Sequence, residues 1–350
     1  MSLDRRQLLR GSLAAGAAAV PLGALAAPAH GVEPVPRISQ QQSAAFPLVL
    51  MDAYNNTVET YDTGEIDGRT NRFGAPKSSF LTGKGAEAWA PLECKFRKLK
   101  SGESVFMICG GDRKNGRVTI HRVSDSAPLG WASGLTNFPH SLEYLPTADV
   151  VVVVGTQGLD DKEETPPGKR SGGTYELYLA PNGGSGPLRK IPGSERPFRQ
   201  AHGVVKDQNH DDRVWIFGGN KIVGYEVRGE GGLDTELVEF ARLPEPRFEN
   251  GHDLQPDPVD TQFLWATGSD YLFKINKAAG HPALDWWQPP GQAKSFSRHR
   301  SGRGIYTVDS KGNGYGSDKV DFLWPAQTVT VPLREGQTEK RIYKARLTDI

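Results

Sequence analysis

Hydrophobic residues in this chain come in short runs, at 48–51, 105–109, 150–154, 214–217, 263–266 and 305–308. Each run stops at a cluster of turn formers, such as Gly110-Gly111-Asp112-Arg113 or Gly218-Gly219-Asn220-Lys221. A further β-rich segment follows each turn, at 57–61, 118–123, 174–179, 222–227, 271–275 and 320–324. No apolar period of 3.6 residues persists, so the pattern predicts hairpins rather than helices. The hairpins recur every 45–60 residues or so, roughly the period of four-stranded propeller blades.

Radial blades also account for strands that are apolar throughout, because each sheet packs against a neighbour on both faces. The expectation is an all-β chain forming a single β-propeller of six four-stranded antiparallel blades, with five or seven as alternatives. A two-sheet sandwich fits the composition but not the period. The first blade lacks an innermost strand before Phe46, and residues 341–347 are expected to supply it and close the ring. Residues 159–172 are polar, carry Pro166-Pro167 and interrupt the third blade, which predicts an exposed loop or a lid.

The N-terminus changes the picture of where such a fold would work. Asp4-Arg5-Arg6-Gln7-Leu8-Leu9-Arg10 has the form of a twin-arginine (Tat) export motif, and Ala27-Pro28-Ala29 suits signal-peptidase cleavage. The apolar stretch between them, about 15 residues, falls short of the roughly 20 that span a membrane. The expected layout is a signal peptide at 1–29, a linker at 30–45 and a propeller domain at 46–350, periplasmic or extracellular, with a Sec signal or retained anchor as the alternative. The formal charge is +1, and removing Arg5, Arg6, Arg10 and Asp4 with the signal leaves −1. A near-neutral chain has no electrostatic footprint for nucleic acid, so the expected partner is a glycan or small anionic ligand, with no nucleic acid, no membrane span and a monomeric state. The two cysteines, Cys94 and Cys109, flank a turn-like segment centred near Ser101. They are open to two readings, a cross-strand disulfide or two reduced buried thiols.

Candidate chemistry sits in a repeated phrase. Phe138-Pro139-His140-Ser141, Ala201-His202-Gly203-Val204 and Gly251-His252-Asp253-Leu254 each precede an apolar run. Alignment on those runs places His140, His202 and His252 at one position near the start of an innermost strand, with Cys94 equivalent in the second blade and Ser295 in the sixth. Innermost strands line the central channel, so three imidazoles are expected to converge at one mouth. Such a set suits a divalent metal, Mn, Ca or Zn, with Glu143, Gln200 and Asp253 as partners for the ring nitrogens. Lys95, Lys294, Arg298 and His299 would add positive charge for an anionic ligand. The bland alternative is that the histidines only tie blades together, as the Gly-His phrase of WD repeats does. His121 falls in a third strand and is expected to be structural; His210 and His281 fall in turns. Trp286-Trp287 suits an outer strand better than a sugar platform. No phosphate loop, Gly-x-Ser-x-Gly elbow or His-Glu-x-x-His helix occurs, and no nucleotide cofactor is expected.

The same phrases, with Lys294-Ser295-Phe296-Ser297, resemble those of a family of secreted bacterial propeller proteins. The resemblance covers nearly the whole mature chain and implies the fold rather than an activity. More distantly, the histidine ring is similar in concept to that of the oligogalacturonate lyases, propellers whose channel histidines hold a divalent metal. This likeness implies a secreted, carbohydrate-active lyase on a uronate-containing glycan, hydrolysis by a metal-bound water being a variant. His140, His202 and His252 would hold the metal, Lys95, Lys294 or His299 would move the proton, and Arg298, Gln200 and Asp253 would bind substrate. The rival expectation is a propeller that binds a ligand or protein without catalysis.

Overall fold

The computed structural model describes residues 45–159, 172–248, 250–278, 285–287, 292–309, 312 and 314–348, and these form a six-bladed β-propeller. The expected signal peptide, most of the expected loop at 159–172, and His281 lie outside the described residues. Among the described residues no helix is long and apolar enough to cross a membrane.

Each blade is an antiparallel sheet numbered outward from the axis. Blade 2 runs Pro91–Lys98, Ser104–Asp112, Asn115–Arg122, Pro128–Leu135; blade 3 runs Phe138–Leu145, Val150–Thr156, Gly173–Leu179, Arg196–Pro197. Blade 4 runs Ala201–Lys206, Arg213–Gly218, Lys221–Arg228, Glu236–Pro244; blade 5 runs Asp253–Pro256, Phe263–Thr267, Leu272–Asn276, Asp285–Trp287. Blade 6 runs Gln292–Arg298, Gly304–Asp309, Lys319–Leu323, Gln327–Thr330. Blade 1 takes its innermost strand, Ile342–Leu347, from the C-terminal end, and continues outward through Pro47–Asp52, Thr57–Asp62 and Ser78–Leu81. The ring is closed as the short first blade implied. A feature absent from the period is a fifth strand on blade 2, where Gly186-Pro187 runs parallel to Gly130-Trp131.

The apolar runs are buried because both faces of each sheet meet a neighbour. In blade 3, Val151 and Val153 pack with Val105, Met107 and Val118 of blade 2. Val150, Val152 and Val154 on the other face pack with Val204, Val214 and Ile216 of blade 4. All are fully buried, at roughly 1.5–3 kcal/mol of transfer free energy per side chain. The cysteines follow the same alternation. Cys94 pairs with Ile108 and Cys109 with Glu93, an offset of one residue that sends the two side chains to opposite sheet faces. Both thiols are free and buried.

Polar ties join blades at their lower ends. Asp207 accepts the indole N–H of Trp215 at 2.6 Å, and Asp257 that of Trp265 at 3.0 Å. Each aspartate also receives a cation from the next blade, Lys277 at 2.7 Å and Arg298 at 2.8 Å.

The axis is closed by a buried ion cluster. Arg346 Nη1 and Nη2 donate to Asp253 of blade 5 at 2.8 Å each, while its Nε and Nη2 donate to Glu93 of blade 2 at 2.8 and 2.6 Å. Lys344, fully buried, donates to Glu93 at 3.2 Å, to Asp253 at 3.3 Å and to the His140 carbonyl of blade 3 at 3.0 Å. Burial alone would raise the Glu93 carboxyl, but Arg346, Lys344 and Lys95 outweigh it and hold the group far below the usual carboxylate range. Removing one partner leaves buried charge uncompensated, which costs about 3–5 kcal/mol. Arg346→Met is therefore expected to lower the unfolding free energy by about that amount in urea titrations followed by tryptophan fluorescence, whereas Arg228→Met, which loses a surface ion pair with Glu226, should cost less than about 1 kcal/mol.

Candidate functional site

The two ends of the channel are different cavities with no shared wall residue. One, of about 630 Å³, opens where the innermost strands begin and is lined by the histidine phrases. The other, of about 700 Å³, opens where those strands end.

A repeated β-bulge builds the first cavity. The register slips between Pro91 and Glu93, Pro139 and Ser141, Ala201 and Gly203, and Ala293 and Ser295, and in blade 1 between partners of Met51 and Asp52. The residues left over are Leu92, His140, His202, Lys294 and Tyr343. In blade 5, His252 occupies the same place, its N–H bonded to the Thr267 carbonyl just ahead of Asp253. An extra residue in one strand leaves the pleat and is re-aimed, and all six of these residues line the pit. The equivalence of Cys94 and Ser295 with the histidines is thereby corrected: without the bulge the alignment slips, and the true counterparts are Leu92 and Lys294. The glycines that close the second strands belong to the same device. A Cβ on Gly155 would meet the Phe138 carbonyl, and one on Gly218 the Gln200 carbonyl, so the bulged backbone needs glycine opposite it.

The three imidazoles stand in sequence around the pit. Ring centroids of His140 and His202 lie 4.3 Å apart, and those of His202 and His252 5.2 Å apart. Nδ1 of His140 lies 2.7 Å from the Phe138 carbonyl and Nδ1 of His202 2.7 Å from the Gln200 carbonyl. A carbonyl only accepts, so each Nδ1 carries its proton and leaves Nε2 with a free lone pair. Main-chain carbonyls thus do the orienting expected of Glu143 and Asp253, which lie elsewhere, and Gln200 acts through its backbone. His252 differs, with Nε2 lying 3.0 Å from Lys294 Nζ and Nδ1 buried without a partner among the described residues. Burial is the main cause that lowers the affinity of these rings for protons, joined by the other imidazoles for His140 and His252 and by Lys294 and Lys344 for all three. His202 is pushed down to about 4, and His140 and His252 well below their ordinary value. Burial also brings Lys294 down to about 8, against the opposing pull of Asp309.

Other expected site residues are placed apart. Lys95, Arg298 and His299 line the opposite cavity. Lys95 is buried on Glu143 and the Val204 carbonyl, Arg298 is tied to Asp257, and the His299 ring stacks on Phe46 at 4.3 Å. Asp253 belongs to the ion cluster between the cavities. The innermost strands are long enough to carry residues to both mouths, which is why nearness in sequence misled. His121 is held between Phe80 and Phe106, as a structural residue would be. Arg113, Gln157, Asn250, Tyr315 and Tyr343 were missed as pit residues. Arg113 and Gln157 lie in the turn clusters after the apolar runs, and that position was the available signal.

Among the described residues, no group of three or more His, Cys, Asp or Glu side chains has the arrangement of a metal site. The tautomers and low affinity for protons have a measurable consequence. Each ring titrates more readily in the unfolded chain than in the folded one, so native stability is expected to fall as pH drops from about 6.5 toward 4. His202→Ala should flatten part of that fall in denaturation midpoints measured against pH, and nitrogen NMR should show His202 as the Nδ1–H tautomer at pH 6.

No protein-family model matches the sequence, and no curated protein matches it. Solved structures do share the fold. A chain of a nidogen/laminin complex aligns with a TM-score of 0.52 at 11% identity, covering 87% of this chain and 98% of that one. A Bacteroides fragilis protein that carries the provisional name 6-phosphogluconolactonase aligns with a TM-score of 0.53 at 10% identity, covering 88% of this chain and 99% of that one. At such identities these neighbours establish the β-propeller and nothing finer.

Proposed function

We propose that the histidine-lined pit is the active site of an exported enzyme that cleaves a uronate-containing glycan by β-elimination, with Lys294 as the base. The observation that carries the reading is the Lys294–His252 contact of 3.0 Å on the floor of an open pit whose described lining contains no Asp or Glu. An amine with its pKa brought down to about 8 is free in a useful fraction near neutral pH, and His252 Nε2 holds it in place. The lysine takes the proton α to the carboxylate. The C–H electron pair becomes the new C4–C5 double bond, the C4–O bond breaks, and the departing oxygen takes a proton from solvent. Charge developing on the carboxylate is met by Arg113 and the cations of the floor, and the neutral imidazoles accept hydrogen bonds from sugar hydroxyls.

A second reading is favoured by the tethered tautomers of His140 and His202. Two imidazoles with Nδ1 fixed on carbonyls and Nε2 open would supply two ligands to a divalent metal, and His252 would supply a third only after Lys294 leaves its Nε2, since no three-ligand set is assembled among the described residues. Bound there, a divalent metal would polarise the substrate carboxylate and acidify the same proton.

The test is a panel of uronate glycans followed at the absorbance band of unsaturated uronates, with elemental analysis of the purified protein. On the first reading, Lys294→Met lowers kcat at least about a hundredfold with the fold intact. The wild-type kcat/KM rises about tenfold per pH unit up to about 8 and then levels, because the free amine is the active form. Stoichiometric metal that is lost in His202→Ala would select the second reading. Absence of turnover on every glycan, with binding retained, would leave a non-catalytic ligand-binding propeller and sink both.

A further inference from the structure

The pit is divided into two chemically different arcs. Blades 3, 4 and 5 contribute His140, His202 and His252, backed by the carboxamides Gln157, Gln200 and Asn250. These three carboxamide residues have φ of 65°, 46° and 57°, a left-handed conformation that costs free energy in residues other than glycine and clusters where side chains clamp ligands. Gln200 Oε1 and His252 Nδ1 are buried without a partner among the described residues, so polar capacity is left open on this arc. Every group on it is uncharged at neutral pH, a set suited to hydroxyls that both donate and accept.

Blades 6, 1 and 2 contribute Lys294, Tyr315, Tyr343 and Arg113. Burial pushes the Tyr343 hydroxyl well above its ordinary value, so it remains a donor. Arg113 is exposed and has no ion pair or hydrogen bond among the described residues. This arc offers donors and positive charge at the pit wall; the carboxylate nearest Lys294, Asp309 at 4.0 Å, is buried behind the lining. Beneath both arcs the cluster of Glu93, Asp253, Lys344 and Arg346 closes the axis, so a ligand must enter and leave by one face.

We infer that the pit recognises the terminal sugar-acid residue of a chain, end-on. Its carboxylate lies on the Arg113, Lys294 and Tyr343 arc, and its ring hydroxyls lie on the imidazole and carboxamide arc. The inference rests on the pit being the ligand site, as proposed above, but not on its catalysing elimination. It adds that the protein takes one end residue rather than an internal segment, and that Arg113 decides for acidic over neutral sugars. A blind pit selects ends because a continuing chain has no second exit, and Arg113 selects charge because no neighbouring group already neutralises it.

Equilibrium binding by calorimetry on the wild-type protein reads this directly, with the trisaccharide checked for cleavage after each titration. D-Galacturonate is expected to bind at least tenfold more tightly than D-galactose, and trigalacturonate within about threefold of the monosaccharide. Arg113→Met should remove the tenfold preference while leaving the weak galactose affinity unchanged; the residue is exposed and unpaired, so the variant should fold. Gln200→Leu should weaken both sugars. Equal affinity of the wild-type protein for the acid and the neutral sugar, or no binding of either, overturns the inference. So does a gain of tenfold or more from monosaccharide to trisaccharide, which would mean an open groove. Binding with this pattern but no turnover leaves the inference standing while the elimination chemistry fails; turnover with an unchanged preference in Arg113→Met does the reverse.

Discussion

The cluster of Glu93, Asp253, Lys344 and Arg346 on the axis is the interaction on which the rest depends. Its two cations come from one strand, Ile342–Leu347, and its carboxylates from blades 2 and 5. Through Lys344 it holds the His140 carbonyl, and through Asp253 the Phe296 N–H of blade 6. Lys95, one layer away, reaches the Val204 carbonyl of blade 4. Charges so deep are tolerable only because each finds several partners, and that requirement makes closure of the ring all-or-none: the C-terminal strand must dock for the carboxylates to be satisfied.

The same cluster turns a channel into two pits. A propeller lined by neutral side chains would leave a pore along its axis; here a line of ion pairs fills it. Consequently the histidine mouth and the basic mouth face different solvent regions and are built for different work. Cations at the lower mouth hold the fold together, as Arg298 and Lys277 do with Asp257 and Asp207. Lysine at the upper mouth holds a histidine.

Local backbone chemistry sets the upper pit. The bulges in the innermost strands of five blades add one residue each and aim it at the axis, His252 takes the same place just ahead of its strand in blade 5, and glycine at the end of the neighbouring strand gives the bulged carbonyl room. Because the device is repeated, six positions become one ring, and their identities can vary without disturbing the sheets. That freedom explains how Leu92, three histidines, Lys294 and Tyr343 occupy equivalent places in one fold.

The sequence by itself pointed to a propeller of six blades with five or seven left open, to the closing strand, and to the meeting of His140, His202 and His252. Each of these follows from a repeating pattern of apolar runs and turns, and repetition converts spacing into position. The sequence pointed to Lys294 only as a neighbour of Ser295, and it put Lys95, Arg298 and His299 with the histidines. What separates them is direction along a strand. One residue of bulge and a few residues of strand length decide which mouth a side chain reaches, and neither changes the apolar pattern. Only the tertiary structure, where strands from six blades share one axis, could decide that Arg346 and Lys344 stand between the two mouths, that main-chain carbonyls orient the imidazoles, and that Arg113 arrives from a turn to complete the pit.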